Sequence, residues 1–144
     1  MNQKLLLLIV CLVITIDQAT KGVAREFGLM RLNQGIAFGL LSESAAGDGG
    51  GQVPLWLSSI FGVLFIALLF AYLHADFYTA IGSGLFLGGA FSNGIDRVVW
   101  GGVQDWIPWP LVQLDNNLAD VAIAAGVLIL MYAAYEKFWL SHPL

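Results

Sequence analysis

Two carboxylates are placed for chemistry in a chain that is otherwise short of charge. Asp105 lies in Gly102-Val103-Gln104-Asp105-Trp106-Ile107, and Asp120 closes Asn117-Leu118-Ala119-Asp120. A short Trp/Pro loop separates them, and each borders a long apolar stretch. A carboxylate beside hydrocarbon is costly to keep ionised, so such residues are functional candidates by default. Two of them on one side of a membrane would share a proton and activate a water. Asp120 has a second reading. Asn117 can cap a helix, and an acid in the first turn is favoured by the helix dipole. Asp105 has no such alternative, for no basic residue stands within seven positions on either side of it.

The composition says what must position these acids. Of 144 residues, 11% are charged and 58% apolar, against about 25% and 45–50% in soluble domains. A net charge of −4 and the lack of any Lys/Arg run argue against a nucleic-acid partner. Cys11 is the single cysteine, which excludes an internal disulfide or a Cys-rich metal site. A bilayer core of ~30 Å takes about 20 helical residues, and four apolar stretches meet that need, at about 4–20, 55–73, 78–95 and 118–140. The expected fold is therefore an all-α integral membrane protein of four transmembrane helices in a single domain, 1–144. The tryptophans support the ends of these spans: Trp56 opens the second, Trp100, Trp106 and Trp109 follow the third, and Trp139 closes the fourth. Residues 4–16 imitate a signal peptide, but Asp17 and Lys21 follow where small neutral residues would be cleaved. They are expected to stay as the first span, with Cys11 an apolar core residue.

Two longer segments leave the spans on the side opposite the termini. The first, 21–54, should hold short strands or an interfacial helix before the glycine-rich 45–51, which reads as a flexible tip. The second, 96–117, carries Asp105. The chemistry therefore belongs to that side. Counting positive charge gives the opposite orientation, because Lys21, Arg25, Arg31 and Arg97 outnumber Lys4 and Lys137. Nearby acids, Asp17 for Lys21 and Asp96 for Arg97, make some of these cations structural ties instead of orienting charges.

Helical spacing sorts the remaining polar residues. Asp17, Lys21 and Arg25 recur every four residues and share a face, which reads as an ion-paired helix end. Asn93, Asp96 and Arg97 share another, prepared by Gly84, Gly88 and Ser92, small residues that admit a neighbouring helix. Asn93 and Arg97 are expected in a buried hydrogen-bonding network, with Asp96 held by a nearby cation. His74 and His142 lie on the terminal side, and no Ser/His, Ser/Lys or HExxH arrangement is present.

Five blocks in this order resemble the lipoprotein (type II) signal peptidases of bacteria: Asp17-x-x-x-Lys21, Asn33-Gln34-Gly35-Ile36-Ala37-Phe38, Gly88 to Arg97 with Gly89, Val103 to Ile107, and Asn117 to Asp120. Trp106 stands where that family usually has Phe, and Asn116 where it usually has an aromatic residue. The resemblance implies an aspartic endopeptidase of the bacterial inner membrane, with both termini cytoplasmic and the site near the extracytoplasmic face. It would act as a monomer, without metal or cofactor, on prolipoproteins whose cysteine carries a diacylglyceryl group, among membrane lipids. Asp105 and Asp120 match the catalytic pair. Asn33, Asn93, Arg97 and Asn117 match site-lining residues, and Asp17, Lys21, Gly35, Gly89 and Asp96 fall in the supporting motifs. A small ion- or proton-coupled transporter subunit is the competing reading, since intramembrane acids also serve relays.

Overall fold

The computed structural model describes residues 3–33, 62–63, 66, 76–109 and 114–141. Gly35, the glycine-rich 45–51, His74, His142 and nearly all of the expected 55–73 span lie outside these. Three long helices carry the described chain: α1 (Gln3–Glu26), α2 (Phe77–Trp100) and α3 (Leu118–Ser141). Four three-residue strands accompany them: β1 (Arg31–Asn33), β2 (Val103–Asp105), β3 (Ile107–Trp109) and β4 (Leu114–Asn116). Gly62, Val63 and Ile66 are helical, and a Cβ on Gly62 would touch the Phe86 ring of α2.

Helix α1 runs six residues past the expected end at Thr20. The cause lies in where its polar residues point. Asp17 and Lys21 are fully buried, so they mark the helix's inner face and not its end. Outside, Leu7, Leu8, Leu12, Ile16 and Val23 are exposed, as are Leu128, Met131, Phe138 and Leu140 on α3, and Cys11, expected in the core, lies exposed on the same outer face of α1. Charge inside and hydrocarbon outside is an arrangement that lipid stabilises and water does not. Helices α1 and α3 are each long and apolar enough to cross a membrane. Between them α2 is richer in Gly, Ser and Asn, and more of it is buried.

Small residues set how closely α2 can be approached. On one side Gly84 faces Ile9 and Gly88 faces Val13. The row continues through Ser92 against Asp17, Asp96 against Lys21 and Trp100 against Arg25. Both helices advance four residues at each rung, so α1 and α2 lie parallel and in fixed register. The stripe expected from Gly84, Gly88 and Ser92 thus receives α1. On the other side Gly82 meets Gly126, and Gly89 meets Ala119 and Ile123, with α3 antiparallel. Tyr78 stacks edge-on against Tyr132 at the far end of the same contact.

The segment after α2 is more ordered than a loop. Gly101, at φ 75°, caps the helix in the left-handed conformation and donates its N–H to Arg97 O. Strand β2 then pairs antiparallel with β1, setting Arg31 opposite Asp105 and Asn33 opposite Val103. Strands β3 and β4 form a second antiparallel pair, with Ile107 opposite Asn116. Of the short strands or interfacial helix expected within 21–54, the described residues hold one strand, β1. Its partner comes from the second segment, so the two segments meet over the end of the bundle.

Gly89 offers a direct test of this packing. A Cβ there would strike the Ala119 carbonyl, which is backbone and cannot rotate away, whereas a Cβ on Gly22 meets nothing within 4 Å. Gly89→Ala should therefore cost about 1–3 kcal/mol by overpacking, read as a lowered melting temperature in detergent. Gly22→Ala should hold or raise it, because alanine favours helix over glycine by about 1 kcal/mol. Equal melting temperatures for the parent and Gly89→Ala would contradict the α2–α3 contact.

Candidate functional site

The end of the bundle where α1 and α2 finish and α3 begins gathers Asp17, Lys21, Asn33, Asn93, Asp96, Arg97, Asp105, Asn117 and Asp120. At its centre is the Lys21 ammonium. Its Nζ lies 2.6 Å from Asp17 Oδ2 and 2.7 Å from Asp96 Oδ2, and it donates to Asn93 Oδ1 at 3.1 Å. All three acceptors are buried, and an ammonium has three protons to give. Asp17 also takes the Ser92 hydroxyl at 2.7 Å and the Ala119 backbone N–H at 2.9 Å. The first turn of α3 is thereby tied to α1.

One expectation needs correction here. The cation that holds Asp96 is Lys21 from α1, not its sequence neighbour Arg97. On a helix, residues one apart diverge by about 100°, while the parallel register brings Lys21 level with Asp96. Among the described residues Arg97 makes no ion pair. Its Nη1 donates to Asn93 O at 3.5 Å, and its Nε is buried without a partner. Its charge lies within electrostatic reach of Asp120, Asp105 and Asp96.

The two candidate acids are held by neutral amides. Asp105, 1% exposed at the end of β2, accepts from Asn117 Nδ2 at 2.6 Å on one oxygen and from Asn33 Nδ2 at 2.9 Å on the other. Asp120, in the first turn of α3, accepts from Asn93 Nδ2 at 2.9 Å. Its own backbone N–H donates to Asn117 Oδ1 at 2.9 Å. Asn117 therefore caps α3 and grips Asp105 with the two ends of one amide. Its oxygen is committed to the helix, so its nitrogen must face the acid. Asn93 is oriented in the same way, with its oxygen on Lys21 and its nitrogen on Asp120.

Burial pushes the Asp105 carboxyl up to about 6. The Asp120 charge adds to the rise, while the amides of Asn33 and Asn117 and the Lys21 charge oppose it. A carboxyl that holds its proton this far above the usual range, electrostatically coupled to a second carboxyl, is equipped to share one proton and to act as acid or base. Among the described residues no group of three or more His, Cys, Asp or Glu converges as metal ligands would.

The structure brings together Asn33, Asn93, Asn117, Asp105, Asp120, Asp17, Lys21 and Asp96, with Arg97 beside them. It also adds Gln18 and Gln104, which spacing did not single out, and finds a partner for Arg25, which it did. Gln18 Nε2 reaches Ser92 and Asp96, Gln104 binds Asp96 through its backbone and side chain, and Arg25 binds Gln104 while stacking on Trp100. The four-residue row through Asp17, Lys21 and Arg25 pointed to the last of these. Gln18 and Gln104 carried only the weak signal of standing beside an aspartate.

Residues 9–136 match the family model described as signal peptidase (SPase) II. The lipoprotein signal peptidase of Nostoc punctiforme is 37% identical over 106 residues, 73% of this chain and 63% of that protein. That of Aquifex aeolicus is 35% identical over 125 residues, covering 82% and 68% respectively. Against Syntrophotalea carbinolica the identity is 32% over 159 residues, and the alignment takes in 92% of each chain. Relative to some of these proteins the chain is short, spanning 63% of the Nostoc punctiforme sequence and 57% of that of Cyanothece. The fold is similar to a solved bacterial membrane enzyme, with a TM-score of 0.78 at 21% identity over 98% of this chain and 93% of the other. A second such structure gives 0.72 at 23% identity, over 91% and 92%. A match that begins in α1 and ends in α3 encloses the whole polar centre and both candidate acids, and on that ground the chain belongs to the signal peptidase II family.

Proposed function

We propose that this chain is a membrane-embedded aspartic endopeptidase that removes the signal peptide from diacylglyceryl-modified prolipoproteins, cutting before the lipidated cysteine. Asp105 and Asp120 would form its dyad. The observation that carries this reading is the Asn117 amide, which binds the Asp105 carboxylate and the Asp120 backbone at once. Capping and chemistry, alternatives for Asp120 in the sequence, become parts of one arrangement.

The chemistry follows from a pair that holds one proton. The ionised carboxylate takes a proton from a water molecule as its oxygen attacks the scissile carbonyl carbon. The protonated carboxyl gives its proton to the carbonyl oxygen, and a tetrahedral diol forms. Proton return to the amide nitrogen then breaks the C–N bond, releasing the signal peptide's new carboxyl end and the lipidated cysteine's amine. Asn33, Asn93 and Asn117 hold the carboxyls in place throughout without adding charge. The signal peptide would lie among the helices as one more apolar segment, its acyl chains left in the bilayer. A proton-coupled transporter fits less well. Asp17, Asp96, Asp105 and Asp120 all gather at one end, whereas α1 and α2 meet through Ile9, Val13, Gly84 and Gly88 at the other.

The proposed topology is four spans, with both termini cytoplasmic and the acids near the extracytoplasmic face of the inner membrane. Parallel α1 and α2 require a connection that recrosses the bundle, which supports a span around the helical Gly62, Val63 and Ile66. The orienting charge count loses its force for similar reasons. Lys21 is buried among carboxylates, Arg25 is bound to Gln104, and Arg31 is paired with Asp115 at 2.7 Å. Reporters fused after Leu144 should read cytoplasmic, and a reporter inserted at Gly49–Gly51 should read extracytoplasmic. The reverse pattern would put the acids on the wrong side for lipoprotein maturation.

Asp105→Asn and Asp120→Asn should each lower cleavage of a lipidated precursor by about 100- to 10,000-fold while the protein stays folded. For Asp105→Asn the melting temperature at neutral pH should equal or exceed the parent's. A carboxyl whose folded pKa is raised stabilises most when protonated, and that contribution is lost as pH rises through about 6. The amide avoids the loss. Substantial turnover by either variant would remove that residue from the dyad.

The same shift fixes a pH dependence. With the shared proton on a carboxyl near 6, the free protein loses it as pH rises. The ratio kcat/KM, which reports the free enzyme, should decline above about pH 6, while kcat holds to higher pH once substrate displaces water. A profile of kcat/KM that is flat from about pH 5 to 8 would exclude Asp105 as the carrier of the proton.

A further inference from the structure

Gln104 has every one of its side-chain groups engaged, although neither it nor its partner Arg25 belongs to the dyad or to the amides around it. Asp96 accepts four hydrogen bonds. On Oδ1 it takes Gln18 Nε2 at 2.9 Å and Gln104 Nε2 at 3.2 Å; on Oδ2 it takes Lys21 Nζ at 2.7 Å and the Gln104 backbone N–H at 3.0 Å. Half of what holds Asp96 is thus Gln104. From the outer side Gln104 Oε1 accepts both Arg25 Nε at 3.1 Å and Arg25 Nη2 at 2.8 Å. The guanidinium in turn lies 4.3 Å over the Trp100 ring. The residue is 5% exposed, and the next one along the chain is Asp105.

We propose that Gln104 is the positioning residue of this site, clamped between Asp96 and Arg25 so that strand β2 presents Asp105 to the amides of Asn33 and Asn117. This rests on the dyad reading above and adds to it the means by which a three-residue strand is held still. Among the described residues strand β2 pairs with β1 alone, over three residues, so the ladder by itself is a weak anchor. The clamp joins it to both parallel helices. Its route runs from Lys21 and Gln18 on α1 through Asp96 on α2, and back to α1 at Arg25. A shift of 1 Å at a reacting group is enough to cost about a hundredfold in rate, so a partial loss of this hold should be visible in turnover before it is visible in folding.

Gln104→Leu keeps the volume and the backbone bond but loses the side-chain bonds on both sides. Arg25→Met keeps an apolar stem on Trp100 and loses only the outer bonds. Both can be assayed as the full chain in detergent on a synthetic signal peptide carrying a diacylglyceryl cysteine, with melting temperature measured alongside. For Gln104→Leu we expect kcat to fall roughly tenfold, with KM within about twofold. The alkaline limb of kcat/KM should move upward. Asp105 is faced by Asn33 from β1, Asn117 and Asp120 from the start of α3, Lys21 from α1 and Arg97 from α2. When β2 slackens, the amide bonds that oppose its rise weaken first. Arg25→Met should change both readings in the same direction and by less.

A folded Gln104→Leu with parental kcat and an unmoved limb would overturn the proposal. A fall in kcat that merely follows the folded fraction, with the limb unmoved, would also overturn it, because that is the mark of a purely structural role. Should Gln104→Leu fail to fold, Arg25→Met decides: a moved limb supports the clamp and an unmoved one rejects it. Cleavage by Asp105→Asn at the parental rate would instead bring down the dyad reading, and this inference with it.

Discussion

An ammonium sealed away from water is the constraint on which the rest of the structure depends. Lys21 and its partners Asp17 and Asp96 are wholly buried. Leaving one partner of such a group unpaired costs about 3–5 kcal/mol. Two carboxylates meet one cation, so the surplus negative charge must be met by neutral donors, and each donor is a structural tie. Ser92 and Ala119 donate to Asp17, and Gln18 and Gln104 to Asp96. All three described helices and the strand that carries Asp105 are recruited in this way. The third proton of Lys21 goes to Asn93, and that bond turns the amide nitrogen toward Asp120.

Such a centre forms only if two helices lie in close parallel contact, and the apolar half of the bundle supplies this. Gly84 and Gly88 admit Ile9 and Val13 where larger side chains would hold the helices apart. Once those rungs are in register, the next three are chemical: Asp17 with Ser92, Lys21 with Asp96, Arg25 with Trp100. In lipid, hydrocarbon gains little by leaving its solvent for another hydrocarbon surface, so close packing and hydrogen bonds must drive association. Glycine provides the first and the buried polar row provides the second. The exposed leucines and aromatics on the outer faces are then the surface that the bilayer covers.

What was legible in the sequence follows from how far each signal reaches along the chain. Three of the helices stood out, because a run of some twenty apolar residues is a local property. Helix α1 continues to Glu26, beyond the apolar stretch expected at about 4–20, because the polar residues that follow that stretch face inward. Strands β3 and β4 fall within what the sequence presents as a Trp/Pro loop, and β2 lies just before it with no strand signal of its own. Three residues are too few to display an alternating pattern, and the partner of β2 lies some seventy positions away. The polar residues themselves were recognised, but not all of their pairings. Spacing ranks neighbours on one helix, so it offered Arg97 to Asp96 when the true partner stood on another helix. Asn117 posed a subtler problem. Capping and chemistry stand as alternatives for Asp120 in the sequence, and nothing in the spacing links Asn117 to Asp105, whereas one planar amide binds both.

The division between cations and amides bears on how the site can work. If Asp105 and Asp120 share a proton as proposed, a strong ion pair would disable them, because a cation bonded to either carboxylate favours full ionisation. Cations abound at this end of the bundle, yet none is bonded to Asp105 or Asp120 among the described residues. Lys21 is satisfied by Asp17, Asp96 and Asn93; Arg25 is turned outward onto Gln104 and Trp100; Arg31 is drawn to Asp115. The acids are left to Asn33, Asn93 and Asn117, whose amides fix position without fixing charge. Burial can then hold the Asp105 proton up to about 6 despite so much positive charge nearby. Seen in this light Asp17 and Asp96 have a second role beyond cohesion. By occupying the ammonium they keep it from the pair of acids that would otherwise compete for it.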